Sequence, residues 1–288
     1  MTPADAIFLS PHLDDAALSC AGAIAHLVSA GARVTVVTLF TADQPAGESL
    51  STLARRAHAS WGLGEEPFAS RRDEDLAAMR LLGAGAEHVG LLDAIYRRSA
   101  SGEALYTNPL VAPAAEDIER SLPQLVAALE ASALGSAPDA RVFCPESTGG
   151  HVDHTLVRIA VEQIVGSERI VYYSEFPYSS RPGVSANSPG DPAAFTAHAL
   201  PLTAEEVDAR IAAVACYASQ LRGLFPSEAE RLLEIASARI PVVGLHLARP
   251  ADVSASRERM AKAVRSDIAR LGGERYWWPK HAGSPFSA

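Results

Sequence analysis

Short apolar runs alternate with longer stretches of helical periodicity through most of the chain. Ala6–Leu9 is a brief apolar run stopped by Pro11, and Arg33–Phe40 (RVTVVTLF) is β-branched and nearly continuous, the pattern of a strand covered on both faces. Between them, Leu18, Ala21, Ile24, Ala25 and Val28 recur at helical spacing over Ala16–Ala30, with Gly31 as the stop. Leu76, Met79 and Leu82 predict a helix over Arg71–Leu82 that ends at Gly83. His88–Leu92, Arg141–Cys144 and Arg169–Tyr173 read as further strands, and Val152–Val165 and Ala204–Cys216 as helices. Such strand–helix–strand repetition predicts an α/β, Rossmann-like fold: a mostly parallel sheet with helices on both faces. Two stretches, Thr41–Ser51 and Ser179–Pro192, are rich in Gly, Pro, Ser and Ala and lack periodicity. They read either as loops that border a binding cleft or as plain surface insertions.

Composition narrows the class. Of 288 residues, 48% are apolar and 20% charged, which excludes disorder and low-complexity arrays. No convincing linker interrupts the chain, so one domain over residues 1–288 is expected, with C-terminal elaborations after about 225. No apolar run approaches the ~18–20 residues of a membrane span, and no basic leader precedes the first strand, so a cytoplasmic protein is expected. A net charge of −9 without a Lys/Arg block argues against a nucleic-acid partner. The three cysteines, Cys20, Cys144 and Cys216, are too scattered for a disulfide framework or a thiolate zinc site. Candidate chemistry therefore rests on His and Asp.

Two clusters carry it. Ser10-Pro11-His12-Leu13-Asp14-Asp15 joins the first strand to the first helix, where open α/β sheets bind ligands. An imidazole and two carboxylates within four residues suit a borderline metal such as zinc. Taken alone, Asp14 or Asp15 is as readily a helix cap. No GxGxxG occupies the turn, which argues against a dinucleotide. The second cluster, Gly149-Gly150-His151-Val152-Asp153-His154, follows the strand ending at Cys144. Two strand-end clusters of His and Asp together read as three protein ligands and an open position, the pattern of a catalytic metal site.

These motifs resemble those of the PIG-L/LmbE-like family of zinc-dependent de-N-acetylases, with its (P/S)H-x-DD turn and HxDH motif. The resemblance continues through Arg71, Glu74, Ala78 and Leu82-Gly83 (the RxxE…A…LG helix), Leu91-Leu92-Asp93, and Tyr217-Ala218-Ser219-Gln220. It implies His12, Asp15 and His154 as metal ligands, Asp14 as general base, and His151 as the residue assisting at the oxyanion or leaving group. It further implies Asp153 as a partner orienting an imidazole, and Arg71 and Asp93 as substrate contacts; for Arg71 an ion pair with Glu74 or a solvated face is the plain alternative. Ala16 stands where many members carry Glu, and Gly149 where some carry Tyr. The implied activity is hydrolysis of an N-acetyl or related N-acyl group on a GlcNAc-like sugar of a small glycoside, lipid or natural product. The implied cofactor is one zinc ion per chain, with ferrous iron as the alternative. A hydratase or lyase on the same scaffold, or an inactive metal-containing carbohydrate-binding protein, are the competing readings. The oligomeric state, a homo-oligomer included, is open.

Overall fold

A computed structural model describes residues 4–63, 67–180, 194–228 and 253–286. The expected loop Ser179–Pro192 falls largely outside the described residues. Among those described, seven strands form one sheet: β1 (Ala6–Ser10), β2 (Val34–Thr38), β3 (Gly85–His88), β4 (Arg141–Pro145), β5 (Ile170–Tyr173), β6 (Phe195–Leu200) and β7 (Glu274–Pro279). Their order is β3-β2-β1-β4-β5-β7-β6. The first five pair in parallel, and β7 runs antiparallel between β5 and β6. The helices are α1 (Asp15–Ser29), α2 (Thr52–Trp61), α3 (Pro67–Leu82), α4 (Ala115–Ala131), α5 (Val152–Ile164), α6 (Ala204–Val214), α7 (Ala218–Leu224) and α8 (Val253–Leu271).

Alternation along the central strands sorts side chains onto two faces. Ala6 and Phe8 of β1, Phe143 of β4, and Val171 and Tyr173 of β5 join α1, α3 and α6 in one core. Ile7 and Leu9, Val142 and Cys144, and Ile170 and Tyr172 join α4 and α5 in the other. Each fully buried Val, Leu, Ile or Phe in these layers contributes about 1.5–3 kcal/mol. Both faces are covered, which is why the central strands read as continuous apolar runs.

The predicted strand at His88–Leu92 is displaced: β3 spans Gly85–His88. It is a half-exposed edge strand of sequence GAEH, with none of the β-branched residues that mark the buried strands.

From β1 the chain winds outward to β2 and β3, then returns through α4 to β4 on the other side of β1. The strand order therefore reverses between β1 and β4, and their carboxyl ends open a crevice there.

The C-terminal strand reaches back to α1. Glu274 of β7 accepts from the N–H groups of Gly22 and Ala23, each at 2.9 Å. Arg210 of α6 lies 3.2 Å from the same carboxylate and donates to the Leu18 carbonyl at 3.1 and 2.6 Å. Glycine at position 22 leaves room for this approach: a Cβ there would sit 2.4 Å from Leu202 and 2.7 Å from the Glu274 carboxylate, and both side-chain ends would have to shift.

Candidate active site

Both His/Asp clusters lie at the β1–β4 crevice. The β1–α1 turn is held by Ser10, whose hydroxyl donates to the His12 carbonyl at 2.6 Å and accepts from Ala16 N–H at 3.0 Å. Leu13 is fully buried against Phe68, Ile95 and Tyr96, which fixes His12 and Asp14 on either side of it. The β4–α5 loop turns through residues with positive φ at Ser147, Gly149 and Gly150, and delivers His151 to the N-cap of α5. Glycine makes two of those three left-handed steps inexpensive.

The two turns bring three ligand atoms together. His12 Nδ1 is 3.2 Å from Asp15 Oδ2, His154 Nε2 is 3.3 Å from the same oxygen, and the two nitrogens are 3.3 Å apart. A tetrahedral ion with bonds of ~2.0–2.1 Å spaces its ligands at roughly 3.3–3.4 Å, so the triangle fits zinc in both donor chemistry and size. The far nitrogen of each ring is occupied. His12 Nε2 meets Asp153 Oδ2 at 3.0 Å, and His154 Nδ1 meets Glu175. Carboxylates on the outer nitrogens leave the inner lone pairs facing one point, as in carboxylate–histidine–metal sites. His151 is also near enough to join a wider group with His12 and His154, and Asp93 and Asp153 form another with His12. The tighter triangle and the outer carboxylates favour His12, Asp15 and His154.

Electrostatics follow from burial and these contacts. Burial opposes charge on His154, yet Asp15 and Glu175 outweigh it and push the ring up to about 10. His12 is likewise raised, against burial, by Asp93, Asp15 and Asp153. Burial would raise Asp15 and Asp153, but His154 and His12 hold Asp15 well below the usual carboxylate range, and Arg97 and His12 do the same for Asp153. Asp14 behaves oppositely: burial, then the adjacent Asp15, raise it to about 7. His151 is lowered by burial and by the neighbouring His12 and His154. Its Nδ1 accepts from Asp153 N–H at 3.2 Å, so the neutral ring carries its proton on Nε2.

Asp14 occupies the α1 N-cap position but makes no capping bond. Its carboxylate faces Arg71 at 3.8 Å. Arg71 is 3% exposed, lies 4.5 Å over the Trp61 ring and donates to the Leu13 carbonyl at 3.4 Å. The alternative partner Glu74 instead accepts from the Ser219 N–H and hydroxyl. Asp93 approaches His12 Nε2 at 3.6 Å.

Two residues escaped the sequence reading. Glu175 follows β5, and a carboxylate just past a third parallel strand was the available signal. Arg97 lies in the DAIYRR stretch; it pairs with Asp153 and, at 3.1 Å, with Asp117, which accepts from Tyr106 at 2.7 Å.

A family model for PIG-L, described as GlcNAc-PI de-N-acetylase, matches residues 7–165. That segment runs from β1 to the end of α5 and holds both clusters. The chain belongs to the PIG-L family. A 2'-N-acetylparomamine deacetylase of Streptomyces fradiae is 34% identical over 178 residues, 61% of this chain and 58% of that protein. The enzyme of the same name from Niallia circulans is 29% identical over 187 residues, 60% of this chain and 66% of its own. The matched stretch thus spans about three-fifths to two-thirds of these relatives. The crystal structure of the zinc-inhibited teicoplanin deacetylase Orf2 superposes with a TM-score of 0.70 at 23% identity, covering 96% of this chain and 97% of that one. A deacetylase–bog complex from teicoplanin biosynthesis gives 0.66 at 26% identity with the same coverage. The likeness of fold to these deacetylases therefore extends over the C-terminal strands as well.

Proposed function

We propose that this protein is a metal-dependent N-deacetylase that removes an acetyl or related acyl group from an amino sugar in a small glycoside or natural product. The observation that carries this reading is the triangle of His12, Asp15 and His154, flanked by an unbound carboxylate, Asp14, and a proton-bearing nitrogen, His151 Nε2. The names of the relatives, which act on acetylparomamine, agree with it. Zinc or ferrous iron held by the triangle would polarise the amide carbonyl and bring the pKa of a water toward ~7.

The remaining work falls to the chain. Asp14 accepts a proton from the attacking water, and Arg71 keeps that carboxylate in place. His151 Nε2–H donates a hydrogen bond to the oxygen as negative charge develops, and Asp14 passes the proton it took from the water to the leaving amine as the C–N bond breaks. Asp153 and Glu175 hold the His12 and His154 rings. Arg71 and Asp93 flank Asp14 and His12, positions from which hydroxyls of a bound sugar are recognised. The setting proposed is a reducing cytoplasm, in keeping with three unpaired cysteines; among the described residues no helix is long and apolar enough to cross a membrane.

The test is a panel of N-acetyl glycosides assayed for free amine, with and without chelator. Amine release that disappears with chelator and returns with added zinc or iron is expected. A metal-loaded protein that releases no amine from any of them overturns the reading.

A further inference from the structure

The loops after β2 and β3 enclose a groove of about 560 Å³ on the same carboxyl-end rim as the His/Asp triangle. Its charged lining residues are Arg55, Arg56 and Arg98, set among Ser49, Ser51, Tyr106 and Thr107. No acid lines it, in a chain of net charge −9. Glu48 lines an adjoining smaller cavity and is paired with Arg98, and Asp117 accepts from the Tyr106 hydroxyl at 2.7 Å. Arg98 and Arg55 also donate to loop carbonyls, which holds them in place: Arg98 to Gly102 and Ser49, Arg55 to Leu50. Arg56 is exposed and has no partner among the described residues. The groove connects to the site through one segment: Ile95 and Tyr96 line the smaller cavity, and Arg97 in the same cavity wall pairs with Asp153 behind His12.

We propose that this groove receives an anionic group, a carboxylate or phosphate, on the part of the substrate remote from the N-acyl group. Guanidinium groups suit such groups through charge-assisted, bidentate hydrogen bonds. The arrangement sorts substrates by charge: it favours acidic aglycones and disfavours polycationic ones. The inference rests on the deacetylase reading for the word substrate, but its test does not require turnover.

Calorimetric binding to the full chain is compared for p-carboxyphenyl N-acetylglucosaminide and the neutral methyl glycoside, with inorganic phosphate as a third probe. The carboxylated glycoside is expected to bind about tenfold more tightly than the neutral one, and most of that advantage should vanish in Arg56→Gln and in Arg55→Gln. Equal affinity for the two glycosides, or an advantage that survives in both variants, overturns the proposal. So does phosphate binding as tight as that of the carboxylated glycoside without mutual competition, which would mark an anion site separate from the substrate. Charge-selective binding without amine release from any glycoside would sink the deacetylase reading and leave the groove standing.

Discussion

Helix α1 carries two buried ionic clusters little more than one turn apart, and they are built on opposite logic. At its start, Asp15 joins His12 and His154 in a triangle of ligand atoms 3.2–3.3 Å apart. Beyond that turn, Arg210 and Glu274 close on the buried peptide groups of Leu18, Gly22 and Ala23. In the second cluster donors and acceptors alternate: the carboxylate takes two N–H bonds, the Tyr276 hydroxyl at 2.7 Å and the guanidinium, while the guanidinium satisfies a carbonyl. Charge is consumed locally, and the cluster clamps the C-terminal strand to the helix. In the first cluster the three ligand atoms converge on one point; Asp15 Oδ2 also accepts from the His12 backbone N–H at 2.8 Å, and the outward ring nitrogens meet carboxylates. Burial and charge are common to both. Convergence is what separates a binding site from a clamp.

The largest effects should come from the triangle. Purified wild-type protein is expected to carry about one transition metal per chain, and His154→Ala to lose both the metal and the activity. Asp14→Asn should keep the metal, because no triangle atom changes, and lose about 10²–10⁴-fold in rate, or roughly 3–5 kcal/mol. Asp15→Asn should instead weaken the metal, with partial rescue by excess zinc. Metal content and deacetylation rate measured together decide it: an Asp14→Asn protein that loses its metal while Asp15→Asn keeps it would reverse the two roles.

The clamp should fail differently. Glu274→Gln leaves Arg210 buried without its counter-charge, a change that costs about 3–5 kcal/mol of stability. Denaturant unfolding should show this loss, while metal per folded chain stays at the wild-type value. Unchanged unfolding with lowered metal content would make the clamp part of the site. A smaller effect is expected where the two logics meet, at Glu175. Glu175→Gln keeps an acceptor for His154 Nδ1 but weakens the ring's orientation, so metal affinity should fall about 10–100-fold with little loss of stability.

The same contrast explains what could be read from the chain. The four central strands and helices α1, α3, α5 and α6 were legible because two-sided burial writes long apolar runs and one-sided packing writes a 3.6-residue period. Helix α4 was hidden by Pro123 in its interior, a residue that ordinarily argues against a helix. Helix α8 carries mostly polar residues, with few apolar ones to mark its buried side. The candidate residues whose proposed roles are chemically local, His12, Asp14, Asp15, His151 and His154, stand in two short motifs and could be found. Glu175 meets the His154 ring 21 residues away in sequence and Arg97 the Asp153 carboxylate 56 away, contacts that only the sheet order creates. The Arg210–Glu274 clamp joins α6 to a C-terminal strand and leaves no local pattern at all.

The last effect concerns a carboxyl whose partners do not close its account. Glu146, at the end of β4, accepts from the Thr148 and Ser174 hydroxyls on one oxygen, and its other oxygen has no hydrogen-bond partner. Burial, with Glu175 adding to it, raises this acid from 4.5 to about 8. Below pH 4.5 the folded and unfolded chains both hold the proton, and above about 8 neither does. Between those values the folded chain alone holds it, so stability must fall as pH rises through the window, by at most about 1.4 kcal/mol per pH unit. Glu146→Gln mimics the protonated side chain at every pH. It should flatten the decline between pH 5 and 8 and leave the variant as stable as wild type, or more so, at pH 8. Urea midpoints across that range for the two proteins provide the measurement. Parallel declines would mean that Glu146 is ionised in the folded protein and that its unpartnered oxygen carries charge, as the clamp's carboxylate does with a full set of donors.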